Sequence, residues 1–273
     1  MPSNAEVIRS PAVAGLFYPV SATELALTVA ELLAAAPAAT GHRLPKAIIA
    51  PHAGYVYSGA TAARAYALLR PLRDRIRRVV LLGPTHRVAV RGIAAPATKQ
   101  FRTPLGDITL DTAAIAALHD LPQMLVSDAA HAQEHSLEVH LPFLQAVLGD
   151  FMLVPLAVGD ASPAEVAQVL RRLWGGDETL VVISSDLSHF HRYASAQALD
   201  RTTADAILQL RTDLGPEQAC GAYPVNGLNL LARELGLHPA LIDLCNSGDT
   251  CGDKSRVVGY ASFAYYEPAR HGH

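Results

Sequence analysis

The chain has 273 residues, of which 50% are hydrophobic and 17% charged, with a formal net charge of −3. That composition is ample for a sizeable core and excludes intrinsic disorder. The scattered charges exclude the basic footprint of a nucleic-acid binder, and the longest apolar-rich stretch, Leu25 to Ala39, carries Glu31 and Pro37 and reads as a helix instead of a membrane span.

Along the chain, Ser10 to Pro19 contains two further prolines or glycines besides its last residue, which rules out a regular helix and predicts an ordered lead-in segment. Ser21, with Glu24 three residues on, predicts a capped helix to about Ala36, ahead of Pro37. Ala47 to Ala50 is a core strand, and Gly59 to Leu69 is alanine-rich and helical. A second core strand, Val79 to Leu82, ends at Gly83-Pro84. Short strands are expected at Gly92 to Ala95 and Asp107 to Leu110, around the turn-rich Thr103-Pro104-Leu105-Gly106. Asp111 caps a helix to about His119. Pro142 is tolerated only in a first turn, so the next helix is expected to start near Leu141, with His135 to His140 in an irregular lead-in. Leu153 to Val158 is a strand, and Ser162-Pro163-Ala164-Glu165 a helix start with proline at its first position. A core strand over Leu180 to Ser184, helices over Ala194 to Leu210 and Asn226 to Leu235, and strands over Leu241 to Leu244 and Val257 to Tyr266 complete the chain. Alternating strands and helices, with no repeat and no linker, predict one domain over 1–273: an α/β fold with a mostly parallel central sheet flanked by helices on both faces.

Three core strands run directly into histidine-bearing stretches: Pro51-His52-Ala53-Gly54-Tyr55, Pro84-Thr85-His86, and Ser184-Ser185-Asp186-Leu187-Ser188-His189. A fourth stretch is His135-Ser136-Leu137-Glu138-Val139-His140. Apolar β-branched runs read as strands buried on both faces, and open α/β sheets place their sites at the strand ends. A single histidine in such a loop ordinarily just hydrogen-bonds its surroundings, and that reading covers His42, His119, His238, His271 and His273. His52 and His86 differ because each follows a core strand beside glycines that let backbone approach a ligand. Asp186 and His189 stand three apart and would share one face if the chain turned helically there. In that arrangement the carboxylate would fix a tautomer or support acid–base work; capping of a turn is the plainer role for Asp186. His135 and His140 lie about 140° apart on a regular helix and would not converge on one ion, so at most one is expected near a site. Glu134 and Glu138 are alternative acids, and His131 is expected to face solvent.

Cys220 follows a turn and precedes a helix, where a thiol can act as ligand or nucleophile; otherwise it is a small buried hydrophobe. Cys245 and Cys251 sit in a polar loop, and no CxxC pair suggests a zinc knuckle. Three cysteines without scaffold density, and no basic-then-apolar N-terminal region, predict a cytoplasmic protein. No Walker A loop or GxGxxG follows a strand, which removes the usual nucleotide-binding readings.

In order along the chain, Ala14-Gly15-Leu16-Phe17-Tyr18, Ile48 to Tyr55, Leu82-Gly83-Pro84-Thr85-His86, Glu134 to Pro142, Ser184 to His189, and Cys220-Gly221 with Pro224 resemble the Memo family, the B component of the AmmeMemoRadiSam system. The family is similar in fold to the catalytic subunit of class III extradiol dioxygenases. The resemblance implies a metal site of two histidines and a cysteine, which falls here on His52, His86 and Cys220. Asp186 and His189 become a nearby polar pair and His140 a pocket member, the three residues expected to be catalytic. Thiolate and imidazole together suit several metals; the resemblance favours iron (Fe2+), then copper, with zinc also compatible. It also implies radical-SAM and AMMECR-type pathway partners, and a small-molecule or peptide ligand in the pocket.

Three functions follow. The first is an iron-dependent, dioxygenase-like oxidoreductase in which His189 acts as acid–base and Asp186 orients it. The second is a non-catalytic metal-binding or interaction module. The third is a hydrolase with Cys220 or Ser185 as nucleophile, ranked last because neither stands in a nucleophile elbow.

Overall fold

A computed structural model describes residues 7–37 and 43–268. His42, His271 and His273 lie outside the described residues. The strands are β1 (Ile8–Arg9), β2 (Ala47–Ala50), β3 (Arg78–Pro84), β4 (Ile93–Ala95), β5 (Gln100–Thr103), β6 (Gly106–Thr109), β7 (Met124–Val126), β8 (Met152–Val158), β9 (Thr179–Ser184), β10 (His189–His191), β11 (His238–Asn246) and β12 (Val257–Tyr266). The helices are α1 (Ala22–Ala35), α2 (Tyr55–Ala67), α3 (Thr112–Ala116), α4 (Asp128–Ala132), α5 (His135–Glu138), α6 (Leu141–Val147), α7 (Pro163–Leu173), α8 (Tyr193–Leu208), α9 (Ala222–Leu235) and α10 (Ser247–Thr250).

The main sheet runs β10-β12-β2-β9-β3-β8-β4-β7, with β11 also paired to β12. Its centre, β2-β9-β3-β8, is parallel. These are the strands with uninterrupted Val, Ile and Leu runs, and they are almost wholly buried. Each such side chain removed from water contributes about 1.5–3 kcal/mol, and a strand covered on both faces is where parallel pairing occurs. Toward the margins the sheet turns antiparallel, at β12-β2, β11-β12, β10-β12 and β4-β8. The sheet is therefore mixed, with the expected parallel core. Helices flank it. α1, α2 and α6 pack together, with α2 against β2 and β12; α7 packs on α9, which lies against β3 and β9; α8 covers β11 and β12.

Local signals decide most boundaries. Ser21 accepts from the Glu24 amide at the start of α1, Ser162 and Glu165 form a full capping box at α7, and α6 opens at Leu141 with Pro142 in its first turn. Two helices begin about a turn before the sequence suggests. α2 starts at Tyr55 because that ring packs against Tyr18 and Phe143. α9 starts at Ala222 because Pro224 fits its first turn.

A second sheet, β1-β5-β6, has no clear sequence signal beyond the run around β6. It belongs with the lead-in segment, which is pinned from a distance. Glu138, fully buried, pairs with Arg9 and accepts from the amides of Ala12 at 2.8 Å and Val13 at 3.0 Å and from the Tyr18 hydroxyl at 2.5 Å. Arg9 also donates to the carbonyls of His131 (3.0 Å) and Glu134 (2.7 Å). Glu138 is thus an anchor, not an acid of a site. His131, expected at the surface, is 1% exposed. Its Nε2 sits 3.0 Å from the Ala94 carbonyl and its ring lies edge-on to Phe101 of the second sheet. Burial pushes it down to about 4. Among the described residues no helix is long and apolar enough to cross a membrane.

Candidate metal centre

Three neighbouring parallel strands, β2, β9 and β3, deliver the site from their carboxyl ends. His52 lies two residues beyond β2, His86 two beyond β3, and Ser184 closes β9 with Asp186 two further on. Cys220 precedes α9, whose packing on β3 and β9 brings the thiol over the same strand ends. Two glycines permit this approach. A Cβ on Gly221 would lie 2.6 Å from Ser185 Cβ and still closer to the Ser184 carbonyl. A Cβ on Gly83 would lie 2.8 Å from Ser136 Oγ and 3.1 Å from Ser184 Cβ.

The three residues singled out from the sequence as ligands converge. One ligating atom each from His52, His86 and Cys220 lie within 4.8 Å of one another, and Cys220 Sγ is 3.4 Å from His52 Nε2. Two donors on one tetrahedral ion, with bonds of about 2.0–2.3 Å, are about 3.5 Å apart.

The hydrogen bonds behind the rings set their tautomers. Ser184 Oγ donates to the Ser136 carbonyl at 2.6 Å, so it accepts from His52 Nδ1–H at 2.6 Å. His86 Nδ1 lies 2.9 Å from Glu134 Oε1, an acceptor, and the His86 amide donates to Oε2 at 2.6 Å. Both imidazoles therefore keep Nδ1 protonated and present the Nε2 lone pair, the form a metal requires. Burial opposes ionisation of Glu134, but the His86 ring and the amides of His86 and Ser136 outweigh it and hold the carboxyl at about 2. Burial, and then the neighbouring imidazoles, lower His52 well below its ordinary value, so it stays neutral.

Cys220 receives the Asp186 amide at 3.3 Å. Burial first, and then the Asp186 charge, raise the thiol well above its usual range. Without a cation beside it, this cysteine is a protonated thiol and a poor nucleophile. Asp186 accepts the His52 amide at 2.7 Å, and its Oδ2 is 4.0 Å from His52 Nε2. Burial pushes it up to about 7, against the amides of His52 and Ala53. These donor atoms fit a soft or borderline divalent ion: two imidazole lone pairs, one sulfur and one nearby carboxylate, with His52 buried and His86 open to solvent.

His189 does not share a helical face with Asp186. Residues 185–188 are irregular, tied to β12 by Leu187 N to Gly259 O and Gly259 N to Ser188 O, both 2.8 Å. His189 opens β10, while Asp186 accepts the His52 amide at 2.7 Å in the loop after β2. Asp186 is therefore not the group that orients His189. The His189 ring remains in electrostatic reach of His52 and His86, and burial lowers its pKa.

Of the two histidines left open by the sequence, His135 joins the cluster. Its ring centroid lies 4.6 Å from His86, near-parallel, and 5.3 Å from His52, edge-on. His140 lies deeper. The Tyr66 hydroxyl meets its Nδ1 at 2.8 Å, and its buried Nε2 has no partner among the described residues. Burial pushes His140 down to about 3. Sequence reading had not assigned Ser184 or Glu134 the parts they play. Ser184 lies inside one of the histidine-bearing stretches, and from sequence Glu134 reads only as an alternative acid.

A family model described as Memo-like protein matches residues 9–264. Similar curated proteins bear the name MEMO1 family protein. One from Aquifex aeolicus is 35% identical over 94% of this chain and 99% of its own. One from Thermoplasma volcanium, TV1383, is 32% identical over 94% of this chain and 97% of its own. The crystal structure of uncharacterized protein JW3007 from Escherichia coli K12 superposes with a TM-score of 0.49 at 16% identity, covering 81% of this chain and all of that one.

Proposed function

The chain belongs to the Memo-like protein family, and on that premise we propose that it is a metal-dependent oxidoreductase whose His52, His86 and Cys220 hold a non-haem ion. Iron(II) stands first and copper second. The observation that carries the reading is the pair of Nε2 lone pairs aimed at one space beside a sulfur, each fixed by a bond behind its ring. An iron ion bound there would supply a redox-active Lewis acid with positions left for a small molecule and dioxygen.

The chain's own residues do the rest. Ser184 and Glu134 keep the imidazoles in the ligating tautomer. Cys220 gives up its proton when a cation arrives, because only the thiolate ligates. Asp186, at about 7 in the absence of a cation, becomes a full anion beside one and tightens the loop after β2 through the His52 amide. His189, kept neutral and within electrostatic reach of the ligands, is the group placed to exchange a proton with a bound molecule.

Metal analysis of anaerobically purified wild type and Cys220→Ser, followed by oxygen uptake over a panel of catechols and other small reductants, tests this. Bound iron in the wild type, its loss in the variant, and oxygen consumption above the metal-free protein are expected. Metal content indifferent to the substitution would remove the thiolate from the ligand set. Bound metal with no uptake over the whole panel would favour the binding module, and a radical-SAM or AMMECR-type gene beside this one would then point to a role shared with those proteins. The raised thiol pKa of Cys220 disfavours the hydrolase.

A further inference from the structure

His135 is not required by the three-ligand set, yet its ring is wedged between aromatic neighbours and a carboxylate. Phe17 lies against its ring at 4.8 Å between centroids, His86 stacks on the ring at 4.6 Å with planes 25° apart, and Glu134 Oε1 sits 3.4 Å from its Nδ1. That same oxygen is 2.9 Å from His86 Nδ1. Two near-parallel rings with their Nδ1 edges on one oxygen leave both Nε2 edges turned away from that carboxylate. For His86 that is the way to Cys220 and His52. The carboxylate favours Nδ1–H in His135 as it does in His86, which leaves Nε2 as a lone pair, an acceptor and not a donor. No hydrogen bond to it exists among the described residues. His135 falls outside the group of atoms formed by His52, His86 and Cys220, and instead forms a second group with His86 and Glu134 around the shared carboxylate, so it stands beside the three-donor position.

We propose that His135 Nε2 is the acceptor for the hydroxyl of a ligand seated between His52, His86 and Cys220, and that the site thereby prefers protic oxygen ligands, phenols and alcohols, over aprotic anions. The proposal rests on the metal-site reading above. The preference follows from geometry: a hydroxyl at the focus of the three donors donates to His135, whereas an aprotic ion offers that lone pair nothing and meets only repulsion. One hydrogen bond of this kind corresponds to about a tenfold change in affinity.

The test uses the full chain loaded with cobalt(II), whose visible absorption reports its ligands, titrated with 4-nitrocatechol and separately with azide. Three proteins are compared: wild type, His135→Ala and His135→Gln, the last of which keeps an acceptor oxygen. The expected result is about tenfold weaker 4-nitrocatechol binding in His135→Ala, partial recovery in His135→Gln, and azide binding and cobalt content within about twofold of wild type in both. An equal loss for both ligands, or for neither, overturns the proposal. Loss of cobalt from His135→Ala overturns it differently, by making His135 a ligand. Cobalt content unchanged in Cys220→Ser would instead show that the parent reading has failed, whatever His135 does.

Discussion

Ser184 decides what His52 can be. Its hydroxyl stands between the His52 ring and the Ser136 carbonyl, 2.6 Å from each. Ser184→Ala leaves a buried Nδ1–H without an acceptor and frees the ring to flip. The expected cost is about 10–100-fold in metal affinity, measured by competition with a chelator, with the fold retained. Cys220 supports a second expectation. Burial keeps its thiol protonated and holds His52 neutral, so at pH 8, where Asp186 has ionised, uptake of one metal ion releases about one proton, from the thiol. A dye-based titration should show that release in wild type and not in Cys220→Ser. The cluster of His52, His86 and Cys220 was legible because each is a polar residue just beyond an apolar strand or at the start of a helix. Their supporting partners were not, because Ser184 faces His52 only through the β2-β9 register, Ala50 opposite Ser184, and register is a property of two segments far apart in sequence.

At the level of elements, the site depends on how closely the turn before α9 lies against β9. Gly221→Ala puts a methyl against the Ser184 carbonyl and 2.6 Å from Ser185 Cβ, and neither can yield cheaply. The turn must move, and Cys220 Sγ with it. The expected outcome is at least about tenfold weaker metal binding, since thiolate ligation tolerates only a few tenths of an ångström. Mass spectrometry of metal-loaded protein, compared with the Ser184→Ala variant, measures it. The lead-in segment rests on one side chain. Glu138→Ala leaves Arg9 charged, buried and unpaired, which costs about 3–5 kcal/mol; urea denaturation of the metal-free protein reads the loss. Prolines predicted that this segment is no helix, and its order was expected. What holds it was hidden, because a glutamate inside a histidine-rich motif looks like site chemistry until its four partners from the lead-in are seen.

For the whole molecule, pH acts through a group of buried imidazoles. Burial holds His131 and His135 at about 4 and His140 at about 3, and lowers His52 as well. Each lies below its unfolded value near 6.5, so the unfolded chain takes up protons first as pH falls. Their contribution to stability is complete above that value and is lost from about 6.5 downward through the folded values. Asp186 works the other way. At about 7 in the fold against 3.8 unfolded, it favours the folded state most below 3.8 and loses that contribution as pH rises to 7. One carboxyl does not offset four imidazoles, each of which acts at up to about 1.4 kcal/mol per pH unit. The metal-free protein should therefore show its urea midpoint falling steadily between pH 6.5 and 4.5, and His131→Gln should make that fall shallower. The expectation that His131 faces solvent failed at this same scale: its cover comes from the second sheet, whose strand β1 lies over a hundred residues away and is only two residues long.

The anchoring of Arg9 and Tyr18 on Glu138 spans 129 and 120 residues of sequence. During synthesis the lead-in leaves the ribosome before its carboxylate partner has been translated. At about 5–20 residues per second, the arginine and the apolar residues around Phe17 remain unclaimed for roughly 6–26 seconds. A chaperone that masks this stretch early in translation would thus protect the wall of a pocket that does not yet exist.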